Sequence, residues 1–218
     1  MGKVGCFTVD AVTADAKGSP QAVLSLRKAQ EAAMEEMLRE LKSGSVVAGR
    51  VVRTEPFGAF VDIGRGIVAL LPTEYISAAR IRHPNQRFRV GQKILAAVQT
   101  FDRAAKRITL THKELLGTWA ENVRPFHPGM TVPGIVRGIK EYGAFIELTP
   151  NLSGLAEART DLTEGERVSV FLKSIAPDRM KIKLLVIDHL PPEPPAPLPY
   201  FITEGRMAYW RYAPAGCT

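Results

Sequence analysis

The chain has 218 residues, 45% of them apolar and 23% charged, a balance typical of globular proteins. Its 29 Lys and Arg outnumber 22 Asp and Glu, giving a formal charge of +7 and turning attention to acidic partners. No run of 18 apolar residues and no signal-peptide core is present, and Cys6 and Cys217 sit at opposite ends with no CxxC or histidine cluster. These features argue against a membrane span, a disulfide framework and a zinc site, so the expected compartment is the cytoplasm.

In chain order, residues 1–25 read as the last hairpin of a β-module: Ala22-Val23-Leu24-Ser25-Leu26-Arg27 resembles Arg107-Ile108-Thr109-Leu110-Thr111-His112-Lys113. A strand over Gly5-Cys6-Phe7-Thr8-Val9 would precede it, so the chain is expected to begin with the remnant of an earlier repeat, marginal alone. Residues 26–42 are strong helix formers with an apolar stripe at Ala33, Met34, Met37, Leu38 and Leu41. They predict a linker helix packed on the domain that follows.

From residue 43 the chain repeats itself. Shifted by 85 positions, Gly44, Gly49, Val51, Gly58, Ala59, Phe60 and Leu70 match Gly129, Gly134, Val136, Gly143, Ala144, Phe145 and Leu155 without a gap. The first copy, 43–118, predicts strands at 46–54, 57–63, 67–71, 93–101 and 106–112, with Gly64-Arg65-Gly66 as a hairpin signal. The second, 119–190, predicts strands at 131–139, 142–148, 152–156, 167–174 and 180–187. Five strands with the long connection between the third and fourth is the layout of an OB-fold, a small Greek-key barrel. That connection is 11 residues shorter in the second copy, a change that a surface loop tolerates. The expected architecture is therefore all-β: tandem five-stranded OB barrels joined by a helix, after a partial repeat. Residues 191–218 add a proline-rich spacer, stiff in the polyproline II form, and an aromatic tail whose side chains would either stack on bases or cover a barrel.

Charge is unevenly shared. Residues 43–118 hold 12 Lys and Arg against 5 Asp and Glu, whereas residues 119–190 hold 9 against 9. The whole excess falls in the first repeat, which suggests a polyanionic partner there, with nucleic acid first among candidates. Period-two alternation puts Ala59, Val61 and Ile63 on one face and Phe60 and Asp62 on the other; in the second copy Ala144, Ile146 and Leu148 oppose Phe145 and Glu147. An unpaired carboxylate is too costly for so small a core, so Phe60 and Phe145 should face outward. Strict alternation makes Phe57 a core residue, while a bulge at Gly58 would turn it outward beside Phe60. Arg107 alternates outward from Ile108 and Leu110, and Lys106, Arg103, Arg50 and Arg53 are candidates for the same region. Exposed aromatics among cations form the stacking platform and groove of a single-strand binder. His83, His112, His127 and His189 read as ordinary surface residues, with no nucleophile, paired carboxylates or phosphate-cradling loop at a recognisable spacing. No enzymatic activity, cofactor, membrane or small-molecule substrate is expected.

The run Gly49-Arg50-Val51-Val52-Arg53, Phe57-Gly58-Ala59-Phe60-Val61-Asp62, Gly66, Leu70-Leu71, Val90-Gly91, Asp102 and Arg107-Ile108-Thr109-Leu110-Thr111 resembles the RNA-binding repeat of the ribosomal protein S1 family. It covers residues 43–113 well and 128–187 more loosely, and the whole chain resembles the clostridial-type S1-like proteins built of serial repeats. The resemblance implies a bacterial, ribosome-associated protein whose OB barrels bind single-stranded RNA through both motif aromatics, a third-strand histidine, and an Asp and Arg of the last hairpin. Those positions fall on Phe57, Phe60, Asp102 and Arg107, with Tyr142, Phe145 and Lys181 in the second copy. The histidine position holds Pro72 and Glu157 instead, and the second copy is neutral, which implies weaker RNA binding or docking on protein there. Two further readings stay open: the RNA-binding end of a larger enzyme, such as a ribonuclease or reductase fusion, and a protein-docking module on the ribosome.

Overall fold

The computed structural model describes residues 7–14, 18–102, 104–194 and 196–213; Cys6, Cys217 and Arg103 lie outside them. Strands β1 (Thr8–Ala14) and β2 (Pro20–Ser25) form an antiparallel two-stranded ribbon. Helix α1 (Leu26–Glu40) follows at once, its N-terminus capped by the Ser25 hydroxyl, which accepts from the Lys28 N–H. Met37 is buried against the next domain, and Ala33, Met34 and Leu41 pack beside it, as the apolar stripe predicts.

Two closed five-stranded barrels make up the body. The first runs β3 (Val46–Glu55), β4 (Gly58–Asp62), β5 (Val68–Pro72), β6 (Lys93–Asp102) and β7 (Arg107–Thr111), in spatial order β3-β4-β5-β7-β6 with β6 returning to β3. The second repeats the order with β8 (Thr131–Lys140), β9 (Gly143–Thr149), β10 (Leu152–Ala156), β11 (Arg167–Ala176) and β12 (Lys181–Leu190). All pairings are antiparallel except β5 with β7 and β10 with β12, which close each barrel. Val51, Ala59, Val61, Ala69, Leu71, Val98 and Leu110 point into the first core, and Phe88 from the 73–92 connection plugs it. Val136, Ala144, Ile146, Val170, Leu172 and Leu184 fill the second. Closure leaves no free sheet edge in either barrel.

The motif glycine acts by close approach. A Cβ on Gly58 would stand 2.7 Å from the Leu71 carbonyl oxygen, and one on Gly143 would stand 2.4 Å from that of Ala156. Only glycine lets the neighbouring strand pass so near. The bulge at Gly58, one of the two alternatives for Phe57, is not formed. The register shifts one strand earlier instead, leaving Val52 in β3 and Arg137 in β8 without a partner across the ladder. The closing hairpins β6–β7 and β11–β12 are irregular at Gln99 and Lys173 in the same way. The ribbon β1–β2 skips Asp10 at the corresponding place, with Val9 opposite Leu24 where β6 and β7 set Val98 opposite Leu110.

Between the barrels, a short 3-10 turn (Lys113–Leu116) buries Leu115 and Leu116, and helix α2 (Trp119–Val123) starts at a Thr118–Glu121 capping box. The barrels meet through buried polar groups. Arg87, from the long connection of the first, grips Glu147 of β9 with two bonds of 2.7 and 2.8 Å. Arg137 grips the same carboxylate at 2.7 and 3.2 Å. The three side chains are 6%, 4% and 9% exposed. Beside them Asn151 accepts from the Ala78 N–H at 2.8 Å and donates to the carbonyls of Lys113 and Gly117, both at 2.7 Å. Glu147 thus does face out of its barrel, as alternation requires, but onto the neighbouring barrel rather than into water.

After the proline-rich spacer the tail returns to the first barrel. The Tyr200 hydroxyl accepts from the Leu95 N–H at 3.1 Å, the Phe201 N–H donates to Leu115, and Gly205 and Met207 bond to Val46 and Gly44. Tyr212 ends at the junction, its hydroxyl on the Asn151 carbonyl and its own carbonyl on the Trp119 N–H. The tail therefore covers a barrel.

Candidate nucleic-acid interface

Strand β4 carries the first half of the site. Phe57 lies in the tight β3–β4 turn rather than in the strand, so neither strict alternation nor a bulge at Gly58 governs it; it is 60% exposed. Phe60 follows on the outer face, its ring 6.0 Å from that of Phe57 and nearly perpendicular, an edge-to-face arrangement. The Arg53 guanidinium lies 4.5 Å over the Phe60 ring and also pairs with Glu55 at 3.3 Å. Across the sheet Phe60 stands opposite Leu70, which stands opposite Thr109. That row forms a half-buried floor beside the aromatics, and Pro72 ends β5 opposite Gly58.

The other candidates divide. Asp102 and Arg107 face each other at the mouth of the β6–β7 hairpin, both exposed. The Asp102 carboxylate accepts from the Ala105 N–H at 2.8 Å, so it shapes the turn. Lys106, in the left-handed conformation in that turn, reaches helix α1 and pairs with Glu31 at 3.3 Å. Arg50 donates to the Gly91 carbonyl at 2.7 Å and stands opposite Asp62 and Lys93. The structure thus gathers Arg53, Phe57 and Phe60, sets Asp102 with Arg107, and ties Lys106 and Arg50 elsewhere. Arg103 lies outside the described residues.

The second barrel repeats the platform. Tyr142 and Phe145 are exposed, with ring centres 6.2 Å apart at 89°. Phe145 stands opposite Leu155, and Leu155 opposite Lys183. The cation in this row is one that the motif alone does not reveal, because its counterpart in the first barrel is Thr109. Its signal in the sequence is the alternation Lys181-Ile182-Lys183, which puts both lysines outside when Ile182 is buried. Lys173, unpaired across the ladder, reaches Glu157 at 2.8 Å, which holds that carboxyl below its usual range through the lysine's hydrogen bond and charge.

Not every histidine is a surface residue. His112 is fully buried, edge-to-face with Phe88 and Tyr200 at ring distances of 5.0 and 5.5 Å. Its Nδ1 lies 2.6 Å from the Ile76 carbonyl, which can only accept, so Nδ1 carries the proton and Nε2 accepts from the Tyr200 hydroxyl at 3.1 Å. Burial pushes its pKa down to about 4, helped by the nearby Arg87 charge and opposed by the Ile76 bond. The 73–92 connection and the returning tail together enclose it, and neither is adjacent to it in sequence. Among the described residues no group of three or more His, Cys, Asp or Glu is placed to hold a metal, and no helix is long and apolar enough to cross a membrane.

Residues 40–113 match the model of the S1 RNA binding domain. The chain is 30% identical over 188 residues to small ribosomal subunit protein bS1 of Staphylococcus aureus, a match that covers 78% of this chain and 48% of that protein. The bS1 of Staphylococcus epidermidis is 31% identical over 169 residues, covering 72% and 43%. Among solved structures, a multidomain protein with nucleic acid binding domains from Streptococcus pneumoniae overlaps 81% of this chain and 58% of its own, at 14% identity and a TM-score of 0.31. The chain spans about half the length of the curated relatives it matches. Both closed OB barrels carry the aromatic motif; the first matches the S1 RNA binding domain, and the chain is similar to bS1 over most of its length.

Proposed function

We propose that the chain binds single-stranded RNA on the outer faces of both barrels. In this reading it serves as an S1-like component of translation in the cytoplasm, with the small ribosomal subunit as a partner and no chemistry of its own. The observation that carries the reading is the exposed edge-to-face aromatic pair found at the same place in each barrel, with Arg53 over one ring and Lys183 in the row beside the other. Water offers such rings no partner, whereas a base offers each a flat one and the adjacent cations meet the phosphates. Asp102 and Arg107 extend the first face, and Lys181 extends the second. The test is fluorescence anisotropy of the full chain with a labelled single strand and with a duplex of equal length. Each stacked base contributes about 1–3 kcal/mol, so Phe60→Ala should weaken binding roughly 5- to 150-fold with the melting temperature unchanged, and Phe145→Ala should act similarly. Unchanged affinity in both variants, or equal binding to the duplex, would overturn the reading.

A further inference from the structure

The connection that follows the third strand meets the preceding turn differently in the two barrels. In the first, Thr73 folds back onto the β3–β4 turn: its N–H donates to the Phe57 carbonyl at 3.0 Å and its hydroxyl to that of Pro56 at 2.9 Å. The position 85 residues on is Ala158, which has no hydroxyl to make the second bond. There a groove of about 800 Å3 opens beside Tyr142, with Ile139, Ala158 and Leu162 as its apolar lining and Arg159 as a further wall. Its size is in the range of small-ligand sites.

Arg159 is not a loose surface cation. Its Nε and Nη2 bond to Asp161 at 3.0 and 2.6 Å, and its Nη1 donates to the Val186 carbonyl at 3.1 Å. Asp161 is itself held by His189 at 3.2 Å. Three of its five N–H donors are held, which fixes the guanidinium plane and leaves its flat face available for stacking. A fixed guanidinium plane and an exposed tyrosine ring are both surfaces on which nucleobases stack. Lys140, exposed at the rim, is placed for the phosphate of the same nucleotide.

We infer that this groove is a base-binding subsite, taking one nucleobase of a single-stranded RNA between Tyr142 and Arg159, next to the base stacked on Phe145. The inference rests on the RNA-binding reading of the second barrel and adds a position beside its aromatic pair. The occupant follows from continuity: Tyr142 belongs both to the aromatic pair and to the groove, so a strand crossing Phe145 arrives at its mouth.

Ala158 is exposed, so Ala158→Phe fills the groove without entering the core and leaves Tyr142 and Phe145 in place. The full-length variant should bind a short single-stranded ribo-oligonucleotide about 5- to 150-fold more weakly, the loss of one stacked base, with an unchanged melting temperature. Ala158→Thr, which restores the hydroxyl that the first barrel uses, should weaken binding in the same direction. On the natural chain, light-induced crosslinking of a 5-iodouridine-substituted strand should mark Tyr142 and residues 158–162. Unchanged affinity in both variants, or crosslinks that miss residues 158–162, overturns the subsite, while loss of binding in Phe60→Ala and Phe145→Ala still upholds the RNA reading. If the natural chain binds no RNA, both fall. Should Ala158→Phe fail to fold, the threonine variant and the crosslink map decide.

Discussion

Replacing Glu147 by glutamine changes one oxygen for an NH2 group at the most deeply buried carboxylate among the described residues. The carboxylate accepts four bonds, two from Arg87 and two from Arg137, at 2.7 to 3.2 Å. Glutamine keeps one acceptor and turns a donor toward guanidinium groups that are themselves donors only. It also leaves two cations, 6% and 9% exposed, without a counter-ion. Removing one partner of a buried pair costs about 3–5 kcal/mol, most of it the uncompensated charge that stays behind. For a chain of this length each kcal/mol corresponds to about 2–4 °C, so the melting temperature of Glu147→Gln should fall by about 6–20 °C. Calorimetry and urea titration are the assays. Since Arg87 and Glu147 belong to different barrels, the variant should also lose cooperativity between them, with one transition splitting toward two.

The same carboxyl has a pH signature. Burial works to raise its pKa, but the bonds and charges of Arg87 and then Arg137 outweigh burial and hold it below the usual carboxylate range. A depressed folded-state pKa gives stability that is fully present above the unfolded value and disappears as pH falls through the folded one. The natural chain should therefore lose stability below about pH 4.5, the ordinary glutamate value, and the glutamine variant should lose less across that window. A triple variant with Arg87→Met, Glu147→Leu and Arg137→Met should restore most of the loss, because an apolar cluster of similar volume avoids the desolvation of three charges. A glutamine variant within 1 kcal/mol of the natural chain, or one with the same acid limb, would refute the claim that this carboxylate clamps the barrels.

Other groups answer to different measurements. His112 is neutral in the fold with a pKa of about 4 against an ordinary 6.5, so its unfolded form takes up a proton first. Stability should fall as pH drops from about 6.5 toward 4, by at most about 3 kcal/mol at 1.36 kcal/mol per pKa unit. A His112→Gln variant that kept that slope would exclude His112 as its source. Tyr200→Phe removes the hydroxyl shared by the Leu95 N–H and His112 Nε2. Leaving buried polar groups unpaired should cost about 1–3 kcal/mol in urea unfolding, and a neutral result would mean that the tail only rests on the barrel.

What the sequence disclosed depended on the range of the forces involved. The two barrels, the outward turn of Phe60 and Phe145, and the helix packed by its apolar stripe follow from periodicity and from the repeat, both of them local patterns. Phe57 was ambiguous because alternation was extended one residue past the strand; in the turn it is free of that rule. The fate of Arg87, Glu147 and Asn151 was not legible, because each is satisfied by a partner 34 to 73 residues away, and no spacing rule reaches that far. His112 follows the same rule: its partners Ile76, Phe88 and Tyr200 lie 24 to 88 positions away.

The charge split shows most clearly how a segment total differs from the field an RNA would meet. The first repeat owes its excess partly to Arg82 and Arg87, and both are paired with carboxylates of the second barrel, Glu164 and Glu147. Arg65 and Lys106 are paired with Glu36 and Glu31 of helix α1. Four of the cations that suggested a polyanionic partner thus already have anionic ones within the chain. The second barrel shifts in the opposite sense. Glu147 is buried, while Asp161 and Glu166 gather around Arg159 and His189, and Lys181 and Lys183 remain exposed on the outer face. A neutral total therefore hides a basic face, and an excess of seven overstates the other. Phosphate contacts set the slope of affinity against salt. Replacing Lys181 and Lys183 together by glutamine should reduce that slope at least as much as replacing Arg82, even though Arg82 lies in the more basic repeat. A slope that tracked the segment totals instead would mean that the ion pairs between the barrels open when RNA binds.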